Sequence, residues 1–328
     1  MADLSTSYMG LTLRNPIIAG SSGLTNSVDN IQKIYNNGAG AIVLKSLFEE
    51  QINFAINKTY NQSENNYPYP EALDYISHYT RENDLDRYLK LIRDAKKNVD
   101  IPIIASINCV SSSEWITFAK NIQDSGADAL ELNIFILPSD PRRKADQHEQ
   151  VYFDILQSVL KQVKIPVAAK ISPYFSGLTN MVLQLSWTGI SGLVLFNRFF
   201  SPDIDTENLE VTSNNVFSTP GEMLQILRWV ALLSDKVHCD IAASTGIHDG
   251  NAVIKQLLAG AKAVQVASVL YEKGFEQIGI MTKDIEEWMD KHQFAKTTDF
   301  IGRLSYKEAK NPAAYERVQF MKHFAGIE

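Results

Sequence analysis

Short apolar runs of two kinds alternate along the chain. The first kind reads NPIIAG at 15–20, IPIIAS at 101–106, IPVAAK at 165–170 and CDIAAS at 239–244. Three of these carry Pro at the start, where a strand tolerates the missing N–H. The second kind reads GAGAIVL at 38–44, GADALEL at 126–132, GISGLVL at 189–195 and GAKAVQV at 260–266. Each of these is led by a Gly that can end a preceding helix in the left-handed conformation. The two kinds interleave four times over, which predicts eight strands built from an internal repeat.

Between the runs lie amphipathic patterns such as SVDNIQKIYNN at 27–37, SEWITFAKNIQDS at 113–125 and HDGNAVIKQLLAG at 248–260. Polar first residues and apolar positions at three-and-four spacing predict helices there. Strand and helix in alternation make an α/β fold, the TIM (β/α)8 barrel. A doubly wound open sheet competes, but eight runs in four matched pairs suit closure better. LSTSYMGLTLRNP at 4–16 reads as an N-terminal hairpin turning at Met9 and Gly10, placed to plug the barrel floor. Three long inserts, 46–82, 137–148 and 197–219, are expected to be non-helical. All follow the carboxyl ends of strands, where barrel active sites are built. The barrel is assigned to 1–305 and a C-terminal helical extension to 306–328, packed on the barrel or at an oligomer interface.

Composition narrows the class. With 328 residues, 45% of them hydrophobic, the chain can bury a large core. No stretch is apolar enough to span a membrane and the N-terminus lacks a signal-peptide layout, so a cytoplasmic protein is expected. A net charge of −7 without long like-charge runs excludes a nucleic-acid footprint and favours a small-molecule substrate. Cys109 and Cys239 are too few and too far apart for a disulfide framework and read as core thiols. The six histidines, His78, His148, His238, His248, His292 and His323, show no metal-ligand spacing, so no metal is expected. Arg142, Arg143 and Lys144 read as a solvated loop.

The strand ends carry the candidate chemistry. They bear Ser21 and Ser22, Lys45 and Ser46, Asn108, Asn133, Lys170, Asn197, Ser244 and Thr245, and Ser268. Meeting solvent explains some of this polarity, but not two lysines and three asparagines converging on one mouth. Lys is costly to desolvate without an anion, and Asn offers both donor and acceptor to a planar heterocycle. A flat, partly anionic, amide-rich ligand is implied. Backbone N–H groups around Thr245 and Gly246, and around Ala267 and Ser268, are placed to cradle a phosphate after the seventh and eighth strands.

These segments resemble the dihydroorotate dehydrogenases, FMN-containing barrels, from the hairpin to TTDFIGRLS at 297–305. The resemblance rests on SSG at 21–23, LKS at 44–46, ASIN at 105–108, ELN at 131–133, AKISPYF at 169–175, Asn197, STGI at 244–247 and GAKAVQVASVLYEKG at 260–274. It implies that Lys170 lies at the N1/O2 edge of the flavin and steadies its reduced form. It implies that Ser21, Ser22, Lys45 and Ser46 hold the flavin, and that Asn108, Asn133 and Asn197 bond its edge and the substrate. Thr245, Gly246, Ala267 and Ser268 would take the phosphate, although the family residue at Thr245 and Ala267 is Gly. The family's Gly-rich segment after the sixth strand is here NNVFSTPG at 214–221.

The resemblance also implies a Cys or Ser base three residues past the fourth-strand Asn, a place that Ile136 occupies. Neither Phe135, Ile136 nor Leu137 can accept a proton, Leu137 and Pro138 replace the family's Pro-Asn pair, and Arg198 follows Asn197. Ser139, Asp140 or a residue of 60–79 would have to substitute. Lys45, Asn133, Lys170 and Asn197 are the catalytic candidates. Three readings stay open. One is a CH–CH oxidoreductase making orotate from dihydroorotate in pyrimidine biosynthesis. Another is a related flavin oxidoreductase with a more apolar pocket, shaped by the quartet 134–137 and the aromatic segment 65–75, in which Arg198 pairs with an anion. The third is an FMN-binding barrel without turnover. A homodimer is expected, and the electron acceptor stays open between fumarate and a partner subunit.

Overall fold

The computed structural model describes residues 2–50, 70–109, 112–198, 202–213 and 216–316. The chain opens with the antiparallel hairpin β1 (Thr6–Tyr8) and β2 (Leu11–Leu13). Its turn residues, Met9 and Gly10, have φ of 57° and 76°, the left-handed pair that a two-residue hairpin turn needs.

The eight predicted runs become β3 (Ile17–Ala19), β4 (Ala41–Val43), β6 (Ile103–Asn108), β7 (Ala129–Asn133), β8 (Val167–Ile171), β9 (Gly192–Leu195), β12 (Asp240–Ser244) and β13 (Ala263–Val266). They pair in parallel in that order, and β13 returns to β3, so the sheet closes into a barrel. The short β5 (Leu47–Phe48) runs beside the end of β6, and β10 (Pro202–Asp205) pairs with β11 (Glu210–Ser213) as a hairpin in the insert after β9. The four leading glycines, Gly38, Gly126, Gly189 and Gly260, have φ of 95°, 89°, 98° and 114°, as helix-ending residues in the left-handed region. Pro16, Pro102 and Pro166 lack an N–H, yet their carbonyls accept from Val264, Ile42 and Leu130 on neighbouring strands.

Apolar burial falls into two layers. One lies between the strands and the surrounding helices. The other fills the barrel, where Ile18, Val43, Ile104 and Val194 meet five alanines of the strands and the hairpin residues Tyr8, Met9 and Leu13. The small strand residues leave room for the hairpin. A β-carbon on Gly192 would lie 2.8 Å from Met9 Cγ and 3.0 Å from the Tyr8 hydroxyl. Asp240 Oδ2 accepts the Met9 N–H at 2.8 Å, so the hairpin plugs the floor as its sequence suggests.

Two insert expectations need correction. The helix Pro70–Asn98 covers the end of the first insert, because Pro70 suits a first helical turn and Glu71, Ala72 and Leu73 favour helix. The helix Ala145–Leu160 begins inside the second. The aromatic segment 65–75 and the candidate bases of 60–79 fall partly or wholly outside the residues whose side chains are described. In the C-terminal extension, Tyr306 N donates to Ala231 O and the Tyr315 hydroxyl to Leu304 O, which lays 306–316 on the barrel, while 317–328 lie outside the described residues. Among the described residues no helix is long and apolar enough to cross a membrane.

Candidate active site

The carboxyl ends of the barrel strands surround a cavity of about 460 Å³. Ser21, Ser22, Lys45, Ser46, Asn108, Asn133, Lys170, Asn197, Thr245, Gly246, Ala267 and Ser268 all line it, so every residue marked at the strand ends for ligand binding is brought to one place.

Each group is held by its neighbours. Ser21 Oγ accepts the Ser46 N–H at 2.9 Å and meets Ser46 Oγ at 3.1 Å, and Ser46 Oγ meets Ser106 Oγ at 2.7 Å. Tyr88 closes the series by donating to Ser106 O at 3.0 Å, so the chain beside Lys45 is tied to β6 and to the helix Pro70–Asn98. Burial pushes the Tyr88 phenol well up, so it stays a hydroxyl. Asn197 is spent on structure: its amide donates to Ile134 O at 3.0 Å and Lys170 O at 3.2 Å, which stitches β8 to the loops after β7 and β9. Asn133 is different, for its buried Oδ1 has no hydrogen-bond partner among the described residues. A buried acceptor without a partner is costly, and a ligand N–H would relieve it.

Lys170 stands at the base of the cavity and donates to Gln265 Oε1 at 2.9 Å. Gln265 Nε2 in turn donates to Glu131 Oε2, deep in the barrel. The amide therefore has one allowed orientation, with its oxygen toward the ammonium and its NH2 toward the carboxylate. Among the described residues no carboxylate ion-pairs with Lys170 or Lys45, so both can meet negative charge on a ligand.

The quartet after Asn133 alternates. Ile134 is buried, Phe135 is 45% exposed and lines the cavity, Ile136 packs against the core, and Leu137 is 54% exposed beside Pro173 and Tyr174. The position reached by counting three residues past Asn133 thus faces the core, and the cavity wall is the ring of Phe135. Asp140 bonds Arg142 through both oxygens in an exposed turn and, like Ser139, does not line the cavity. The thiols offer no base either: burial pushes Cys239 up to about 12 and Cys109 further.

Arg198 lines the cavity wall, but its guanidinium is occupied. It donates to Glu222 Oε2 at 2.9 Å, to Val216 O at 2.8 Å and to Phe217 O at 3.0 Å, clasping the insert that follows β9. Phe48, Glu50, Phe135, Ser218 and Gln265 also line the cavity and were not marked as ligand-binding positions at the strand ends. Phe135 carried a signal as part of the apolar quartet 134–137, and Gln265 as a polar residue inside the apolar run GAKAVQV.

Thr245 has φ of 85°, in the region that favours Gly, which places strain at the end of β12. Gly246 follows at φ 75°, and a β-carbon there would lie 2.4 Å from Met223 N.

A family model described as dihydroorotate dehydrogenase matches residues 3–289 of the chain. The dihydroorotate dehydrogenase B (NAD(+)) catalytic subunit of Thermoplasma acidophilum is 27% identical over 315 residues, covering 92% of this chain and 99% of that protein. The protein of the same description from Methanocaldococcus jannaschii is 27% identical, over 83% of this chain and 89% of its own length. That of Pyrococcus furiosus is 25% identical, over 89% and 96%.

Proposed function

Because the chain belongs to the dihydroorotate dehydrogenase family, we propose that it is an FMN-dependent oxidoreductase of the CH–CH class that converts dihydroorotate to orotate in pyrimidine biosynthesis. The observation that carries this is the unpartnered, buried Asn133 Oδ1 in a cavity that also receives two lysines without carboxylate partners among the described residues. That donor set fits the flavin ring system, which presents an imide N–H and gathers negative charge on reduction.

FMN, when bound, supplies the acceptor for a hydride. The protein's part is orientation and charge. Lys170 is aimed by Gln265, which Glu131 holds in one orientation, so its ammonium is set before the ligand arrives and stabilises negative charge at the cavity base. Lys45 rides on the serine series and brings the second cation. Asn108 and Asn133 hold the ring edge and the substrate, and Asn197 acts by fixing the loop carbonyls around them. Phe135 covers one wall and sheds water. Thr245, Gly246, Ala267 and Ser268 would form the phosphate end, with Ser21 and Ser22 next to them, since the Gly20 N–H donates to Val266 O.

One observation favours a second reading, a flavin oxidoreductase of this family with another substrate. The ring of Phe135 lines the cavity in the loop where the family's Cys or Ser base is expected, while Arg198, which that reading pairs with an anion of the ligand, is held by Glu222 and lends it no support. The two readings separate in one experiment. The purified protein is expected to show a flavin absorption spectrum, and its band near the visible blue should bleach on anaerobic mixing with dihydroorotate. Bleaching by dihydrouracil alone selects the second reading, and a protein that takes up no FMN overturns both. A cytoplasmic homodimer acting on a small molecule, with the extension 306–328 on the barrel or at the interface, completes the proposal, and sedimentation of a chain ending at Ser305 tests the assembly.

A further inference from the structure

Ser218, His248 and Glu272 come from the segments that follow three different strands and line up at the phosphate end of the cavity. Ser218 Oγ lies 3.2 Å from His248 Nε2, and His248 Nδ1 lies 3.3 Å from Glu272 Oε2. Ser218 lies near the end of the insert after β9, His248 follows β12, and Glu272 lies on the short helix after β13. Ser218 and His248 are each 6% exposed, while Glu272 is 40% exposed. Of the three, only Ser218 lines the cavity.

The direction of the hydrogen bonds can be worked out. A carboxylate only accepts, so Nδ1 carries the proton that faces Glu272. In a neutral imidazole Nε2 is then an acceptor, and the Ser218 hydroxyl donates to it. Ser218 Oγ meanwhile accepts from the Gly246 N–H at 3.3 Å, and Ser218 N donates to Ser268 Oγ at 3.0 Å. One hydroxyl is therefore held at the junction of the three segments that form this end, beside Gly246 and Ser268.

We propose that Ser218, His248 and Glu272 form a relay that fixes the phosphate group of the bound nucleotide: Ser218 meets the phosphate, and His248, steadied by Glu272, positions Ser218. This rests on the FMN reading above. When the phosphate is in place, the Ser218 hydroxyl turns to a phosphate oxygen and His248, taking up a proton at Nε2, donates to Ser218 Oγ, so that His248 still holds the oxygen that Gly246 anchors. His248 and Glu272 are positioning residues, since neither lines the cavity.

Riboflavin, which has the same ring system and no phosphate, separates this role from simple loop packing. The purified full-length protein, freed of flavin, is titrated with FMN and with riboflavin by fluorescence quenching. Ser218→Ala is expected to weaken FMN about tenfold, and His248→Ala and Glu272→Gln about three- to tenfold, with riboflavin changed less than about twofold, since the bond lost is one to a charged group. The double variant Ser218→Ala/His248→Ala should bind FMN no worse than Ser218→Ala alone, because the two act through one contact. Equal weakening of FMN and riboflavin, or FMN binding unchanged in all three single variants, overturns the relay alone. Wild-type protein that binds neither flavin overturns the relay together with the FMN reading. Glu272→Gln lies at a half-exposed surface position and keeps the test valid if His248→Ala does not fold.

Discussion

At Ile134 to Leu137 the side chains alternate between buried and exposed positions past the end of β7, and this decides what a substitution can do. Ile136 faces the core, so Ile136→Cys places a thiol where it cannot reach a substrate. It is expected to give no gain in dihydroorotate oxidation, read by anaerobic flavin bleaching, and to cost about 1 kcal/mol of stability from lost apolar volume. Phe135→Cys is the substitution that puts a thiol on the cavity wall, and a gain there would show that a proton acceptor was the missing part. Gly246 is constrained on two counts, its φ of 75° and the 2.4 Å that would separate a β-carbon from Met223 N. Gly246→Ala should therefore lower stability by about 2–4 kcal/mol and weaken FMN binding, seen as a fall in Tm and in retained flavin.

The Arg198 to Glu222 pair clasps the insert after β9. Burial pushes the Glu222 carboxyl up, but hydrogen bonds from Arg198 and Thr219 outweigh it and hold the group below its ordinary value of 4.5. The folded value is the lower one, so the clasp contributes fully above the ordinary carboxylate range and is lost as pH falls through the depressed value. Proteolysis or hydrogen exchange of this insert should stay flat from neutral pH down to about 5 and rise only below about 4. Elements of this kind also mark the limit of what the sequence reveals. The eight strands and their leading glycines are legible because alternation and positive φ leave local signatures. The strand-end lysines and asparagines are legible because a known strand end fixes where a side chain emerges. The clasp, the Gln265 to Glu131 bond across 134 residues and the relay through His248 are not, since they join segments with no shared local pattern. The facing of Phe135 and Ile136 is also hidden, because the alternation runs on past the assigned strand.

Across the whole molecule, the hairpin acts as a floor. Tyr8 sits inside the barrel with its hydroxyl buried and without a hydrogen-bond partner among the described residues, and burial followed by the charge of Glu131 raises the phenol well above its ordinary value. Tyr8→Phe removes an unsatisfied polar atom while keeping the ring, so it is expected to raise stability by about 1 kcal/mol in a denaturant titration. Changes that enlarge Gly192 should do the opposite, because Met9 and Tyr8 already fill that space.

A floored barrel also constrains the order of events in turnover. With β1 and β2 closing the far end, a small-molecule reductant and a small-molecule oxidant must approach the proposed flavin from the same side. They take turns at one face, so the first product has to depart before the second reactant arrives. Steady-state rates at varied concentrations of both should then give parallel lines in double-reciprocal form, and intersecting lines would mean that the two reactants are bound at once.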